Sequence, residues 1–511
     1  MTNDSLLRLW RRDTAPLIAL ALLMVAVHCF TSGAYGYFRD EFYYIACSKR
    51  LAWGYVDHPP LSIAVLAATR ALFGDSMFAI RLPVVLGSGA CVVLVGLLAR
   101  VFGGSRRAQW LAALAYMVMG TSLAMPTFFS MNMFDHLFWL AAMLTVARVI
   151  RDEDPRLWLA FGVFVGLGLL NKISVGFFAF AIVTALGMTE LRGLLWSRYA
   201  IGGAALAGLL VLPHLLWQLQ HGFPTSEFIA NAQRFKIAAM SPAQYLSAQV
   251  LQSNPATVPV WIYGLGALLL APRQRRFRAF GLTYLIVLGL FVAQQAKPYY
   301  LAPAYPMLIA AGAVAIDQLS RLPQWRLLPR VAAAWLAAAG LFLAPYALPL
   351  LSPEAFVRYA RAARLQAPRE ERKFTQELPQ YIADRLAWKE LTATVAQVYD
   401  ALPSQERAHA AILTGNYGEA GAIEFFGPSY GLPQPISGHN NYWLWGPGPT
   451  TGDVVIAVGI PRAALLQAFE NVTDAAVLSV PQAVEDEAPV FVCRGLRLSL
   501  AEAWVKLKRF I

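Results

Sequence analysis

Charge is what this sequence has little of. Asp, Glu, Lys and Arg make up 14% of its 511 residues, against about a quarter in soluble domains. Set beside 58% hydrophobic residues, the shortfall excludes a water-solvated globule along most of the chain and points to lipid as its main solvent. Cysteine is scarce too. Cys29, Cys47, Cys91 and Cys493 lie far apart with neither C-x-x-C nor zinc spacing, which argues against a disulfide framework; Cys29 and Cys91 fall in apolar runs and read as small core residues. His28, His214, His221, His409 and His439 show no ligand spacing. The glycines of 415–421 lack the G-x-G-x-x-G order of a dinucleotide site. No internal repeat and no low-complexity segment is evident. No clean A-x-A cleavage site follows the first apolar run, 15–34, so that run reads as a retained transmembrane helix rather than a leader.

The positive charge that is present falls in clusters. The formal net charge is +12, but the arginines sit in short groups between apolar runs, the pattern of cytoplasmic loops rather than of a nucleic-acid surface. Arg8, Arg11 and Arg12 put the N-terminus in the cytoplasm. Arg106 and Arg107, the 151–156 segment, Arg192 and Arg198, the 273–278 segment, and Arg321, Arg326 and Arg330 mark later inner loops. Between them lie apolar runs near 78–102, 108–125, 135–150, 199–219, 256–271, 279–295, up to 316, and 331–351. A stretch from 157 to 190, interrupted at Asn171 and Lys172, reads as two short helices with Lys172 at the outer turn. Spanning length then predicts a polytopic α-helical membrane protein of about eleven helices, range nine to thirteen, with residues 1–351 in the membrane and a first outer loop at 35–77. Within that loop, 61–74 reads as an interfacial amphipathic helix. From Ser352 the composition changes: 364–407 is charged and helix-like, and Ile412–Leu413, 454–458 and 476–480 read as short buried strands. Residues 352–511 are expected to form a small extracytoplasmic α/β domain.

Chemistry concentrates on the outer side. Asp40 and Glu41 follow the first helix inside a loop rich in aromatics (Tyr35, Tyr37, Phe38, Phe42, Tyr43, Tyr44, Trp53, Tyr55). The bland reading is a solvated loop anchored at the interface. The sharper one is a partly desolvated carboxylate suited to general-base work, with Arg39 and Tyr43 beside it on the substrate. Asp57 and His58 are stiffened by Pro59 and Pro60; an ordinary turn, a substrate contact and a divalent-metal pair are all open for them. Asp135, at the outer end of its helix, is either a functional acid or a helix N-cap. Lys172 either snorkels to headgroups or binds a lipid phosphate. Lys297 with Tyr299, Tyr300 and Tyr305 has the make-up of a phosphate clamp, and Arg81 is a further candidate cation.

Three motifs carry a family resemblance: R-D-E-x-x-Y-Y at 39–44, W-G-Y-V-D-H-P-P-L at 53–61 and R-L-P at 81–83. They resemble the GT-C polytopic glycosyltransferases, in particular the bacterial branch related to protein O-mannosyltransferases and lipid A aminoarabinose transferases (glycosyltransferase family 39). Asp135, the 166–172 segment ending Asn-Lys, the 297–306 segment and the C-terminal stretches 417–433 and 437–448 fall where that family has matching features. The resemblance implies an inverting transferase of the bacterial inner membrane. Its donor would be a polyprenyl-phosphate sugar and its acceptor an extracytoplasmic protein, lipid or polysaccharide. By position it makes Asp40 the first-loop catalytic acid, Asp57 an acidic residue that in relatives contacts a metal, Asp135 the second acid of the reaction centre, and Lys172 and Lys297 the binders of the lipid phosphate. Asp-His stands here where the aminoarabinose branch has Glu-Lys. The competing class is a transporter or flippase; against it, the acids lie in loops and helix ends on one face, and no two halves of the chain match.

Overall fold

The fold is that of a computed structural model that describes residues 3–365 and 377–511, with side chains described from Thr14 onward. Residues 366–376 of the charged stretch 364–407 therefore lie outside the described residues. Among the described residues seven helices are long and apolar enough to cross a bilayer, or eight if one bent pair counts as a span. Four shorter apolar helices, Leu61–Phe73, Leu157–Leu169, Ser174–Gly187 and Pro255–Leu270, accompany them. The chain is a multi-pass membrane protein. Contacts group it into two compact units, one of residues 1–32, 78–216 and 239–350, the other of residues 33–77, 217–238 and 351–511.

The first unit is a helical bundle whose length follows from its hydropathy. Met77–Val101 is 25 residues long, roughly 37 Å at 1.5 Å per residue, enough for the hydrocarbon core with some tilt. Where the apolar surface of lipid and protein are alike, packing is decided by how closely backbones approach. The helices Val258–Leu270 and Tyr305–Leu319 cross closely at two glycines. A Cβ on Gly264 would sit 1.9 Å from the Leu308 carbonyl oxygen, and one on Gly312 1.9 Å from that of Val260. Trp158 and Gly203 repeat the arrangement: a Cβ on Gly203 would lie 2.2 Å from the Trp158 carbonyl. One expected helix is not continuous. The run near 108–125 divides into Arg106–Met117 and Gly120–Thr127 with a bend of 66°. The reason lies in a distant side chain. Asn254 Nδ2 donates to the Val118 carbonyl at 2.9 Å and so satisfies a group that an unbroken helix would have used, which is what allows a break among buried helices.

In the second unit a five-stranded sheet has the order β2-β1-β3-β5-β4. The strands are β1 Ala411–Thr414, β2 Ile436–Ser437, β3 Val454–Val458, β4 Phe469–Val477 and β5 Pro489–Leu496. β1 runs parallel to β2 and β3, and β5 antiparallel to β3 and β4. Period-two alternation splits the core. Ile412, Ile456, Val490 and Val492 face a layer with Trp388, Leu391, Val395 and Ile423, while Leu413, Val455, Ala457 and Phe491 face Leu465, Phe469 and Val472. Of the expected strand 476–480 only the end of β4 is strand. Beyond it Leu478 and Ala488 close a loop, with the Leu478 N–H donating to the Ala488 carbonyl at 2.9 Å. β2 and β5 were not foreseen: β2 has two residues, and the short apolar run of β5 follows an acidic stretch and ends in Arg494 and Gly495.

The first-loop helix Arg39–Ser48 belongs to this unit. Its Phe42 is buried in the sheet-side core with Trp388, ring centroids 5.8 Å apart, a burial that contributes about 2 kcal/mol. Phe42 packs on the helix Tyr417–Phe426 where that helix has no side chain: a Cβ on Gly421 would lie 2.8 Å from the Phe42 Cβ.

The helix crossing at Gly264 is testable. Gly264→Ala is expected to destabilise the detergent-solubilised protein by at least about 2 kcal/mol. Gly266→Ala, in the same helix with nothing within 4 Å of its Cβ, is expected to leave the thermal unfolding midpoint unchanged or raised. Equal midpoints for the two variants would contradict the crossing.

Candidate active site

Two clusters of chemistry-bearing side chains form, one within each unit. In the second unit the chain leaves its first spanning helix through Tyr35 and Gly36, both at positive φ, 65° and 94°, and turns into the helix Arg39–Ser48. Glu41 makes the start of this helix: its Oε2 accepts the Phe38 N–H at 2.8 Å, the acidic half of a capping box, and the residue is fully buried. Asp40, one position earlier on the turn, keeps 28% of its side chain exposed. It accepts the Tyr417 hydroxyl at 2.8 Å and has the Arg39 Nε at 3.6 Å. Arg39 is itself held by Asp384, Nη1 to Oδ1 3.4 Å, with its guanidinium 5.6 Å over the Tyr417 ring. The two adjacent carboxylates that sequence alone could not separate thus have different surroundings.

Asp57 lies in the turn before Pro59 and Pro60, where the Tyr55 N–H donates to the His58 carbonyl at 3.1 Å. The Tyr43 hydroxyl is 2.8 Å from Asp57 Oδ1. Burial pushes the Asp57 carboxyl above the usual aspartate value, against the opposing pull of His58 and of the Tyr43 hydrogen bond. Burial beside Asp57 likewise drives the phenol of Tyr43 well above its ordinary value. His58 is fully buried, packed by the rings of Tyr43, Tyr44 and Tyr55. Its Nδ1 is 3.1 Å from the Pro59 carbonyl and its Nε2 3.9 Å from Asp57 Oδ1. As a metal pair Asp57 and His58 lack company: among the described residues no group of three or more His, Cys, Asp or Glu is placed to hold an ion. The donor set around them is phenolic and does not fit a divalent cation.

The same cluster contains residues that sequence reasoning assigned no role. Asn441 Oδ1 is 2.9 Å from the Tyr43 hydroxyl and accepts the Val56 N–H at 2.7 Å. Tyr417 is fixed from behind, because its N–H donates to His439 Nδ1 at 3.2 Å while His439 Nε2 donates to the Ile511 carbonyl at 2.8 Å. That tautomer is the neutral one, and burial holds the imidazole well below its ordinary pKa. The sequence signal for these residues was their place in the stretches 417–433 and 437–448 that share in the family resemblance, which carries no spacing rule and assigns them no role.

The second cluster is built in the first unit. The helix Met131–Asp152 opens at Ser130, whose Oγ accepts the Asn132 N–H at 3.3 Å. Asp135 is therefore inside the helix, and its N-cap reading is corrected. Its carboxylate accepts the Ser174 hydroxyl and lies 3.6 Å from Lys172 Nζ. Lys172 stands in the break between Leu157–Leu169 and Ser174–Gly187. It donates to Asn132 Oδ1 at 2.8 Å and sits 4.4 Å over the Tyr300 ring and 5.7 Å over that of Tyr299. Its side chain keeps 13% exposure. Trp139 Nε1 donates to Ser174 Oγ at 3.3 Å, which closes the network. Ser174 and Asn132 were missed because a serine or asparagine near a lysine carries no pattern. Lys297 precedes the short helix Pro298–Ala304 that brings Tyr299 and Tyr300 to Lys172. Tyr305 is turned elsewhere, with its hydroxyl donating to Gln249 Oε1 at 3.1 Å. Arg81 is fully buried and donates to the Ser32 carbonyl.

Residues 57–217 match the family described as Dolichyl-phosphate-mannose-protein mannosyltransferase. The chain is 28% identical over 237 residues to a lipid A galacturonosyltransferase of Rhizobium johnstonii, covering 46% of this chain and 50% of that one. It is 27% identical over 173 residues to an undecaprenyl phosphate-alpha-4-amino-4-deoxy-L-arabinose arabinosyl transferase of Pseudomonas fluorescens, covering 32% of this chain and 29% of the relative. The chain thus spans half or less of the curated relatives it matches. In fold it is similar to the crystal structure of ArnT from Cupriavidus metallidurans bound to undecaprenyl phosphate, with a TM-score of 0.64 at 16% identity over 93% of this chain and 97% of that one. In fold the chain is thus similar to a solved membrane glycosyltransferase, and over part of its length it is similar in sequence to lipid-linked sugar transferases.

Proposed function

We propose that this protein is an inverting integral-membrane glycosyltransferase that moves a sugar from a polyprenyl-phosphate donor to an extracytoplasmic glycan, lipid or protein. The observation that carries the reading is Lys172, held in the break between two apolar helices by Asn132, Asp135 and the Tyr300 ring. A lipid phosphate leaves as an anion and needs a cation at the level of the headgroups. Lys172 meets that need, with Lys297 as the second cation and Asp135 and Ser174 fixing the direction of its ammonium. The names of the relatives, which specify a lipid A sugar transferase and an undecaprenyl-phosphate aminosugar transferase, support the same donor class.

In the proposed reaction a carboxylate takes the proton of the acceptor hydroxyl or amine as its oxygen or nitrogen attacks the anomeric carbon. The bond from that carbon to the phosphate oxygen breaks on the opposite face, and its electron pair goes to the lipid phosphate, so the anomeric configuration inverts. Asp40 is the proposed base: it is the more exposed of the first-loop acids, and the Tyr417 hydroxyl orients it. Asp57 is a second carboxylate of the same cluster; Arg39, Tyr43 and His58 shape that cluster, and no metal is needed for proton transfer to a positioned carboxylate. Residues 1–351 would be the membrane part, with the N-terminus cytoplasmic and 352–511 outside the inner membrane of a bacterium.

Three outcomes test this reading. With purified protein in lipid nanodiscs and an undecaprenyl-phosphate sugar, Asp40→Asn is expected to slow transfer by roughly 10²–10⁴-fold; transfer at the wild-type rate, read by mass spectrometry of the acceptor, would remove Asp40 as the base. Lys172→Gln is expected to weaken donor binding and, by leaving Asp135 buried without its partner, to destabilise the fold by about 3 kcal/mol. The double variant Lys172→Gln with Asp135→Asn restores the melting temperature and not the donor affinity. If the double variant regains affinity, Lys172 is not a phosphate ligand. The third outcome is a pH profile. The Asp57 carboxyl is raised by burial, so its neutral form is favoured, and the stability this gives is present at low pH and lost as pH rises through the raised value. The rate is expected to climb along an acid limb centred above the ordinary aspartate range, and Asp57→Asn to flatten that limb.

A further inference from the structure

The helix Pro242–Gln252 carries a glutamine on its buried face. It opens at Ser241, whose Oγ accepts the Gln244 N–H at 3.3 Å while Gln244 Oε1 accepts the Ser241 N–H at 2.8 Å, a capping box that fixes where the helix starts. Its buried residues are Tyr245, Ala248 and Gln249, which share one face by their i, i+3, i+4 spacing. A primary amide in that position costs free energy unless its donor and its acceptor are both used. Both are. A carbonyl can only accept, so the Gln249 atom 3.0 Å from the Pro298 carbonyl oxygen is Nε2, and it donates. Oε1 then faces the Tyr305 hydroxyl, which donates to it at 3.1 Å and accepts from the Tyr284 hydroxyl at 3.4 Å. One side chain therefore holds both ends of the short helix Pro298–Ala304: its first residue and the residue directly after its last.

That short helix needs holding. It is of the tight 3-10 type and seven residues long, whereas such helices seldom run past about three or four residues because their hydrogen bonds are poorly aligned. Pro298 and Pro303 also have no N–H to give it. Yet it carries the Tyr300 ring, which lies 4.4 Å from Lys172 Nζ. We propose that Gln249 is a positioning residue for Lys172: by clamping both ends of Pro298–Ala304 it holds the Tyr300 ring over the ammonium that the proposed lipid phosphate would meet. Gln249 acts through Tyr300 rather than on substrate. A glutamine that only filled space between helices would not need its two ends on the two residues that flank this segment. Without the ring, the ammonium is left with Asn132 Oδ1 at 2.8 Å and the Asp135 carboxylate at 3.6 Å, and the carboxylate draws it away from an incoming anion.

The inference rests on the transferase reading for the phosphate, but the clamp can be tested without it. The full-length protein, carrying isotope-labelled lysine, is placed in lipid nanodiscs and its lysine side-chain signals are followed by NMR. The Hε signal of Lys172, assigned by its loss in Lys172→Arg, is expected to lie upfield under the ring current of Tyr300 and to move to the ordinary lysine position in Tyr300→Leu. Gln249→Met keeps the length of the side chain and removes both hydrogen bonds, and is expected to move the signal in the same direction. Undecaprenyl phosphate is then titrated in. Gln249→Met is expected to weaken its binding roughly two- to thirty-fold, the worth of one cation–π contact, and to weaken it no further in a Tyr300→Leu background. A Lys172 signal that stays in place in Gln249→Met overturns the proposal. So does an equal loss of affinity with and without the Tyr300 side chain, which would mark Gln249 as packing only. If Gln249→Met does not fold, Tyr305→Phe, which releases only one end of the clamp, provides the same comparison with a smaller displacement. Sugar transfer from an undecaprenyl-phosphate sugar is measured in parallel. Wild-type protein that neither binds the lipid phosphate nor transfers sugar, with the lysine signal displaced in Gln249→Met, would sink the transferase reading and leave the clamp standing.

Discussion

The acid cluster depends on one contact between backbones. At Gly421 the helix Tyr417–Phe426 has no side chain, and Phe42 of the helix Arg39–Ser48 fills the space. The approach places the Tyr417 hydroxyl on Asp40 and leaves the phenol of Tyr43 between Asp57 and Asn441. A Cβ at position 421 would lie 2.8 Å from the Phe42 Cβ, so even alanine there forces the two helices to shift, which lengthens hydrogen bonds of 2.8 Å. The arrangement is stiff because the contact is dry and aromatic: Phe42, Trp388, Phe425 and Phe426 surround it. In the proposed reaction, carboxylates held in this way would need no rearrangement at the moment of proton transfer, which is where much of enzymatic rate enhancement lies.

The lysine cluster follows a different rule. Lys172 and Asp135 lie within 4 Å in surroundings of low polarity, where an unpaired charge is far more expensive than in water. A buried pair of this kind stabilises little relative to apolar packing, so its presence is better understood as keeping a cation where lipid would otherwise exclude one. The aromatic face of Tyr300 extends the same function, since a ring quadrupole attracts an ammonium without adding charge.

How much of this was legible in the sequence follows the range of each interaction. Spanning helices are local events of composition, so the apolar runs and the interruption at Asn171 and Lys172 could be read directly. The bend after Met117 could not, because its cause is Asn254, which is remote in sequence. The strands β1 and β3 were visible as apolar runs, while β2 and β5 depend on pairing partners. At the site, composition marked Asp40, Glu41 and Asp57 as acids in an aromatic loop. It could not tell that Glu41 is turned to the Phe38 N–H, since that is a matter of one side-chain direction. Family resemblance chose Asp40 over Glu41 before the fold supplied a physical difference between them. The resemblance took in the stretches that hold Tyr417 and Asn441 but gave neither a role, for a hydroxyl or an amide becomes informative only once its neighbour is known.

The separation between these partners has a consequence in time. Tyr43 and Asn441 are 398 residues apart in the chain, and Asp40 and Tyr417 are 377 apart. At a synthesis rate of about 5–20 residues per second, roughly 20 to 80 seconds pass between the appearance of the first-loop acids and that of the residues that orient them. Throughout that interval the membrane helices can insert and pack while the acids have no fixed direction. A nascent chain that has not yet reached residues 417–441 is accordingly a membrane protein without an assembled acid cluster.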